Sequence, residues 1–195
     1  MMLALFALIL QVVVPVAAPK IASDLRAGML LVYASEGRDQ PPWSVDQVDA
    51  GLALKDRADC ARVRIRRQPP PAPDPEEVRL CVENGVQSGW NAAQSAWLPQ
   101  RPIGPDMTLD LPRPSGEVVR YATGKVTVEV IGTRRIQVVE TTVTTVDASG
   151  KPVRRLIERY APGLTTATGG RFEVPDAAAP GGWRAQQTFE LREIR

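Results

Sequence analysis

The stretch EVVRYATGKVTVEVIGTRRIQVVETTVTTVDASGKPVRRLIERY, residues 117–160, decides the fold class of this chain. Val, Ile and Thr dominate it, and turn signals cut it into runs of strand length. Residues 117–122, 125–131, 135–146 and 152–160 read as consecutive strands with corners at Gly124, Gly132-Thr133 and Asp147-Ala148-Ser149-Gly150. The last corner fits a turn with Gly150 in the left-handed region and Asp147 facing Lys151. Continued from that turn, the ladder sets Glu140 across from Glu158, Val143 across from Arg155 and Thr141 across from Ile157. A tight Gly132-Thr133 turn sets Lys125 beside Glu140. Two facing carboxylates with a lysine between them have the chemistry to hold a metal or to share a proton. The plainer reading is a solvated face on which Lys125, with Arg154 or Arg159, neutralises Glu140 and Glu158. Val126, Val128, Val130, Val139, Val143, Val153 and Ile157 then form the core face.

Outward from this block the pattern stays that of strands and turns. Two more strands are expected near residues 163–172 and 186–193, punctuated by Gly169-Gly170 and Pro180-Gly181-Gly182. On the amino-terminal side, Met29-Leu30-Leu31-Val32-Tyr33 is long enough for one strand, and residues 45–54 carry no firm period. Asn84-Gly85 is a hairpin turn into Val86-Gln87-Ser88. Residues 91–96 suit a strand or a short helical turn, and residues 98–105, with three prolines, read as a linker loop. There is no βαβ alternation, no heptad and no repeat of fixed period.

Cys60 and Cys81 bracket ARVRIRRQ, PPPAPDP and EEVRL. The first segment alternates Val63 and Ile65 with Arg62, Arg64 and Arg66, as a half-buried strand does. The proline run cannot continue a ladder, so it closes a hairpin that brings Cys60 opposite Cys81. A disulfide is expected there. A thiol redox pair usually sits in Cys-x-x-Cys, which is absent. Pro69-Pro70-Pro71 reads as a stiff closing loop, the alternative being a polyproline ligand for an aromatic groove.

Residues 1–18, MMLALFALILQVVVPVAA, have the length and order of an export signal: an apolar run ending in small residues, too short for a membrane span of roughly 20 residues. Val16-Ala17-Ala18 fits the small-residue rule for cleavage. No Lys or Arg precedes the run and Pro19 would follow the cut, so an uncleaved anchor or a buried apolar element are the alternatives. The expected division is a signal peptide (helical) or uncleaved anchor over 1–18 and one β-rich domain over 19–195. The membrane is then met only through an uncleaved amino-terminal segment.

Composition excludes more than it assigns. The chain of 195 residues has 24 basic and 22 acidic residues, a formal charge of +2, which gives no electrostatic case for nucleic acid. It contains no histidine, so Ser-His-Asp and Cys-His catalysis, His-ligated zinc and a histidine pH switch are all closed to it. No phosphate loop, dinucleotide fingerprint, Gly-x-Ser-x-Gly or calcium loop occurs. Neither catalytic residues, cofactor nor metal are expected. Trp43, Trp90, Trp97 and Trp183 stand out among few aromatics, either lining an apolar ligand cavity or supplying core area.

Within residues 118–168, the runs GKVTVEVIG, VVETTVTT and Tyr160-Ala161-Pro162-Gly163 resemble those of uncharacterised exported bacterial domains with a curved antiparallel sheet. The wider architecture is similar to the LolA/LolB-like half-barrels of the cell envelope. That resemblance implies a concave sheet holding lipid acyl chains, and it carries over no lipid-contacting residue.

The expected fold is therefore all-β: eight to eleven antiparallel strands in a meander curled into a half-barrel or open barrel, with a β-sandwich as the runner-up. The expected function is a non-enzymatic, exported module of the periplasm or envelope that binds or carries an apolar ligand such as a lipid. The alternative is a structural or interaction module for another envelope protein.

Overall fold

The computed structural model describes residues 20–37, 43–54, 57–68 and 77–195. Residues 1–18 and the Pro69-Pro70-Pro71 run lie outside the described residues, and so does the side chain of Trp43. Twelve strands follow one another along the described chain. They are β1 (Leu30–Gly37), β2 (Trp43–Leu54), β3 (Arg57–Gln68), β4 (Val78–Glu83), β5 (Val86–Asn91), β6 (Ala96–Pro102), β7 (Thr108–Pro112), β8 (Val118–Ile131), β9 (Arg134–Val146), β10 (Pro152–Ala161), β11 (Thr166–Pro175) and β12 (Trp183–Ile194).

They form one antiparallel sheet in the order β6-β5-β4-β3-β2-β1-β12-β11-β10-β9-β8-β7, curled into a nearly closed barrel. The first and last strands pair with each other, so the ends of the sheet, β6 and β7, are consecutive in the chain. Residues between them bridge the gap. Ile103 and Gly104 donate to the Gly85 carbonyl, and Met107 donates to Thr123 Oγ1 at 2.8 Å.

One end of the barrel is filled. Residues 20–29 make successive turns whose Ala22 and Asp24 amides donate to the carbonyls of Pro162 and Gly163. The Tyr-Ala-Pro-Gly strand end thus receives the amino-terminal turns. Leu25, Ala161 and Leu164 are fully buried there and belong to one core cluster with Leu31, Ile131, Ile136 and Val138.

Local irregularities correct several sequence expectations. Gly124 is no corner: β8 runs through it, with a bulge between Thr123 and Val126. Residues 98–105 are not wholly a loop, because β6 extends to Pro102. Its prolines are tolerated because β6 is an edge strand, where a missing N–H breaks no ladder. The expected core face also fails in part. Val139 is buried, whereas Val128, Val130 and Val153 are exposed. Val138 and Val139 are consecutive and both buried, so the β8–β9 hairpin changes its buried face there. Beyond that point Ile131 and Ile136 enter the core, and Glu129 reaches Arg159 on β10 and Thr168 on β11.

Candidate functional site: a polar cavity inside the barrel

Glu158 stands at the centre of the site. On β10 it pairs in register with Thr141 of β9 and Gly170 of β11. Tyr160, two residues on, shares its face, as strand alternation requires. Arg101 arrives from β6. The β5–β6 register shifts beside it, with Gln87 opposite Arg101 and Ser88 opposite Pro99, so Gln100 is the extra residue. Such a bulge re-aims side chains, and here Arg101 and Gln87 both line the cavity.

These four side chains interlock. Arg101 Nη2 lies 3.0 Å from Glu158 Oε1, and the Arg101 guanidinium sits 3.9 Å from the Tyr160 ring centroid and 6.0 Å from that of Tyr121. The Tyr160 hydroxyl donates to Gln87 Oε1 at 2.8 Å, and Gln87 Nε2 donates to Gln100 Oε1 at 3.2 Å. The Glu158 side chain is 5% exposed and that of Arg101 19%. Oε1 of Glu158 is ion-paired but has no aligned hydrogen-bond partner.

Burial acts against the charged form of all three ionisable groups. It pushes the Glu158 carboxyl up, against the pull of Arg101. It pushes the Tyr160 phenol up to about 12, again against Arg101. Burial opposes the charge on Arg101 as well, but Glu158 and the two tyrosines outweigh it and raise that guanidinium above its ordinary value.

The cavity above this floor measures about 590 Å³, within the range of small-molecule sites, roughly 300–1,000 Å³. Tyr33, Ser35, Ser44, Thr165, Thr166 and Gln187 add polar wall, and Phe172 and Phe189 form an aromatic pair with ring centroids 6.0 Å apart. Nothing here resembles an all-apolar slot.

The expected carboxylate cluster is not assembled. Pro152 pairs with Val146 as the Asp147 turn dictates, but Val153 is an extra residue, and from Arg154 the register has moved by one. Glu140 therefore faces Arg159, not Glu158, and the two carboxylates point to opposite faces of the sheet. The same slip sets Val143 opposite Leu156 and Thr141 opposite Glu158. Lys125 falls in the β8 bulge and is exposed; among the described residues it makes no ion pair with Glu140. Glu140 lines a second groove with Arg159, Arg171 and Glu190, which shares Glu158 and Phe189 with the cavity. Among the described residues no group of three or more Cys, Asp or Glu is placed to hold a metal.

The tryptophans lie elsewhere too. Trp90 and Trp97 face each other across β5 and β6, with centroids 5.5 Å apart, and the Arg155 guanidinium lies 4.3 Å from the Trp183 centroid. None of the three lines the cavity. Cys60 and Cys81 stand opposite one another on β3 and β4 and are bonded, with Cα atoms 4.0 Å apart. Sequence reasoning named Glu158 but missed Arg101, Gln87, Tyr160, Phe172 and Phe189. A buried Gln or Arg in an alternating strand leaves the same pattern as an exposed one, so only the bulge and the closure of the barrel reveal them.

Fold and site together define an antiparallel, nearly closed barrel with a polar internal cavity. No protein-family model and no curated protein sequence matches the chain. Among solved structures it is similar to a candidate exported protein with YmcC-like fold from Bacteroides fragilis, at 9% identity and TM-score 0.47, with 91% of this chain and 97% of that chain covered. It is also similar to a candidate lipoprotein from Parabacteroides distasonis, at 12% identity and TM-score 0.45 over 91% and 99% of the two chains. A third likeness is to a chain of the Pseudomonas aeruginosa MucA/MucB complex, at 10% identity and TM-score 0.37 over 86% and 50%.

Proposed function

We propose that this chain is an exported, non-enzymatic binding module of the cell envelope that holds a ligand inside its barrel. The cavity above the Arg101–Glu158 pair carries this reading, because it combines useful volume with buried polar groups that converge on one place. The apolar run at residues 1–18 and the paired cysteines support export. The lining moves the ligand away from a bare acyl chain. Hydrocarbon packed on Arg101, Glu158 and Gln87 would gain no hydrogen bonds while displacing water from them. An amphipathic or polar molecule fits better.

The test is native mass spectrometry of protein released gently from its export compartment. A copurifying small molecule is expected, absent from the Arg101→Met/Glu158→Gln double variant. A bare mass, together with no thermal stabilisation by small-molecule extracts of the same cells, would sink the proposal.

A second reading, attachment to another envelope protein, draws on β6 and β7. Each has one sheet neighbour only, and such edges accept an added strand. Crosslinking from residues on β7 to another envelope protein would favour it.

A further inference from the structure

We infer that the ligand of the barrel cavity is a neutral saccharide, lying on Phe172 and Phe189 with its hydroxyls held by Arg101 and Gln187. This rests on the reading of the cavity as a binding site.

Charge is the first argument. Among the described lining residues Arg101 and Glu158 are the only charged ones, and they lie 3.0 Å apart. An anionic or cationic ligand would have to separate that pair, with no third charge to complete the exchange. The cavity is therefore matched to a molecule without net charge.

Shape and surface are the second. Phe172 is 40% exposed and packs beside Phe189 on the adjacent strand, so an aromatic surface faces the space above the polar floor. Such a surface suits a ring with an apolar C–H side. The remaining wall is rich in planar amide and hydroxyl groups: Gln87, Gln187, Ser35, Ser44 and Thr165. These bond neutral hydroxyls as donor or acceptor alike.

The third is a donor within reach. Glu158 Oε1 is fully covered and ion-paired to Arg101 at 3.0 Å, so the ligand meets this pair from the guanidinium side, where Arg101 is 19% exposed and lines the cavity. A guanidinium carries five N–H donors, and a hydroxyl accepting from one of them makes a charge-assisted hydrogen bond, among the stronger ones. A pyranose ring supplies both the hydroxyls and the apolar side. A fatty acyl chain lacks the hydroxyls.

The experiment probes the purified full-length mature protein on an array of neutral and acidic glycans, followed by calorimetric titration of hits. Uncharged 1-dodecanol serves as the apolar comparator. Neutral glycans are expected to bind and acidic ones not. Phe172→Ala and Gln187→Ala should each weaken binding by about tenfold or more. Phe172 is 40% exposed, so Phe172→Ala should stay folded, and its melting curve, measured beside the titration, separates lost binding from lost fold. Binding of 1-dodecanol in the cavity with no neutral glycan bound would overturn the saccharide and leave the binding module standing. Glycan binding that both variants leave unchanged would overturn this placement. No glycan binding at all, with or without a copurified ligand of another class, overturns the inference.

Discussion

Glu158 keeps 5% of its side chain exposed, so the cost of its charge depends on the guanidinium beside it. Burial raises its pKa in spite of Arg101, which means the folded chain holds that proton more tightly than the unfolded one. The stabilising contribution is thus complete below the ordinary carboxyl value and is lost as pH rises through the raised one. An asymmetry follows. Arg101→Met strands a carboxylate in the cavity wall and should cost about 3 kcal/mol at neutral pH, less in acid where Glu158 is protonated. Glu158→Gln imitates the protonated state and should cost much less. Urea unfolding of both variants at acid and neutral pH checks this, and equal losses would contradict it. Glu173 runs the other way. Burial pulls its carboxyl up, but hydrogen bonds from Arg171 at 2.7 Å and Arg155 at 2.6 Å prevail and hold it below the ordinary range. Its contribution is present above the ordinary value and lost as pH falls through the lowered one. Glu173→Gln should therefore destabilise at neutral pH and make little difference in strong acid.

At the scale of elements, single inserted residues decide which side chains meet. Most strands of residues 117–160 were legible where alternation and turn residues agree, the corner at Gly124 being the exception, and the Asp147 turn forms as read, with Asp147 N–H donating to the Lys151 carbonyl. The extra residue Val153 carries no sequence mark, yet it moves Glu158 from Glu140 to Thr141 and so onto the cavity floor. Gln100 does the same for Arg101, inside a proline-bearing segment that reads as loop. The cysteine hairpin was legible because spacing and alternation fix its register without help from a bulge. The bond closes 21 residues, so Cys60→Ala/Cys81→Ala should lower stability by about 3 kcal/mol in the loop-entropy account, read by denaturant titration. β11 shows a tighter constraint. A methyl group on Gly170 would come 2.6 Å from the Ile157 carbonyl oxygen and 3.1 Å from Glu158 Cβ. Gly170→Ala should therefore push β10 and the cavity floor apart and cost about 1–3 kcal/mol. An unchanged melting temperature would mean that β10 yields freely.

For the molecule as a whole, the order of strands explains how a cavity persists. Pairing β1 with β12 joins the first and last of the described strands, so closure is left to residues 103–107 between β6 and β7. Thr123 is the fastener: its hydroxyl donates to the Gly104 carbonyl at 2.7 Å and accepts from the Met107 amide at 2.8 Å. Ile103, donating to Gly85 at 2.7 Å, ties the same segment to the β4–β5 turn. Thr123 sits where the β8 bulge begins, so the irregularity that bends the β8–β9 hairpin also presents the hydroxyl to the closing segment. Thr123→Val keeps the shape and removes both bonds, leaving a carbonyl and an amide to find water. A loss of about 1–3 kcal/mol is expected. Its location matters more than its size. Amide hydrogen exchange should quicken across residues 104–107 and β7 while the β1–β12 pairing keeps its protection, because the opening is local to the seam. Equal acceleration in every strand would mean that the barrel opens as one unit and that Thr123 is only another core residue.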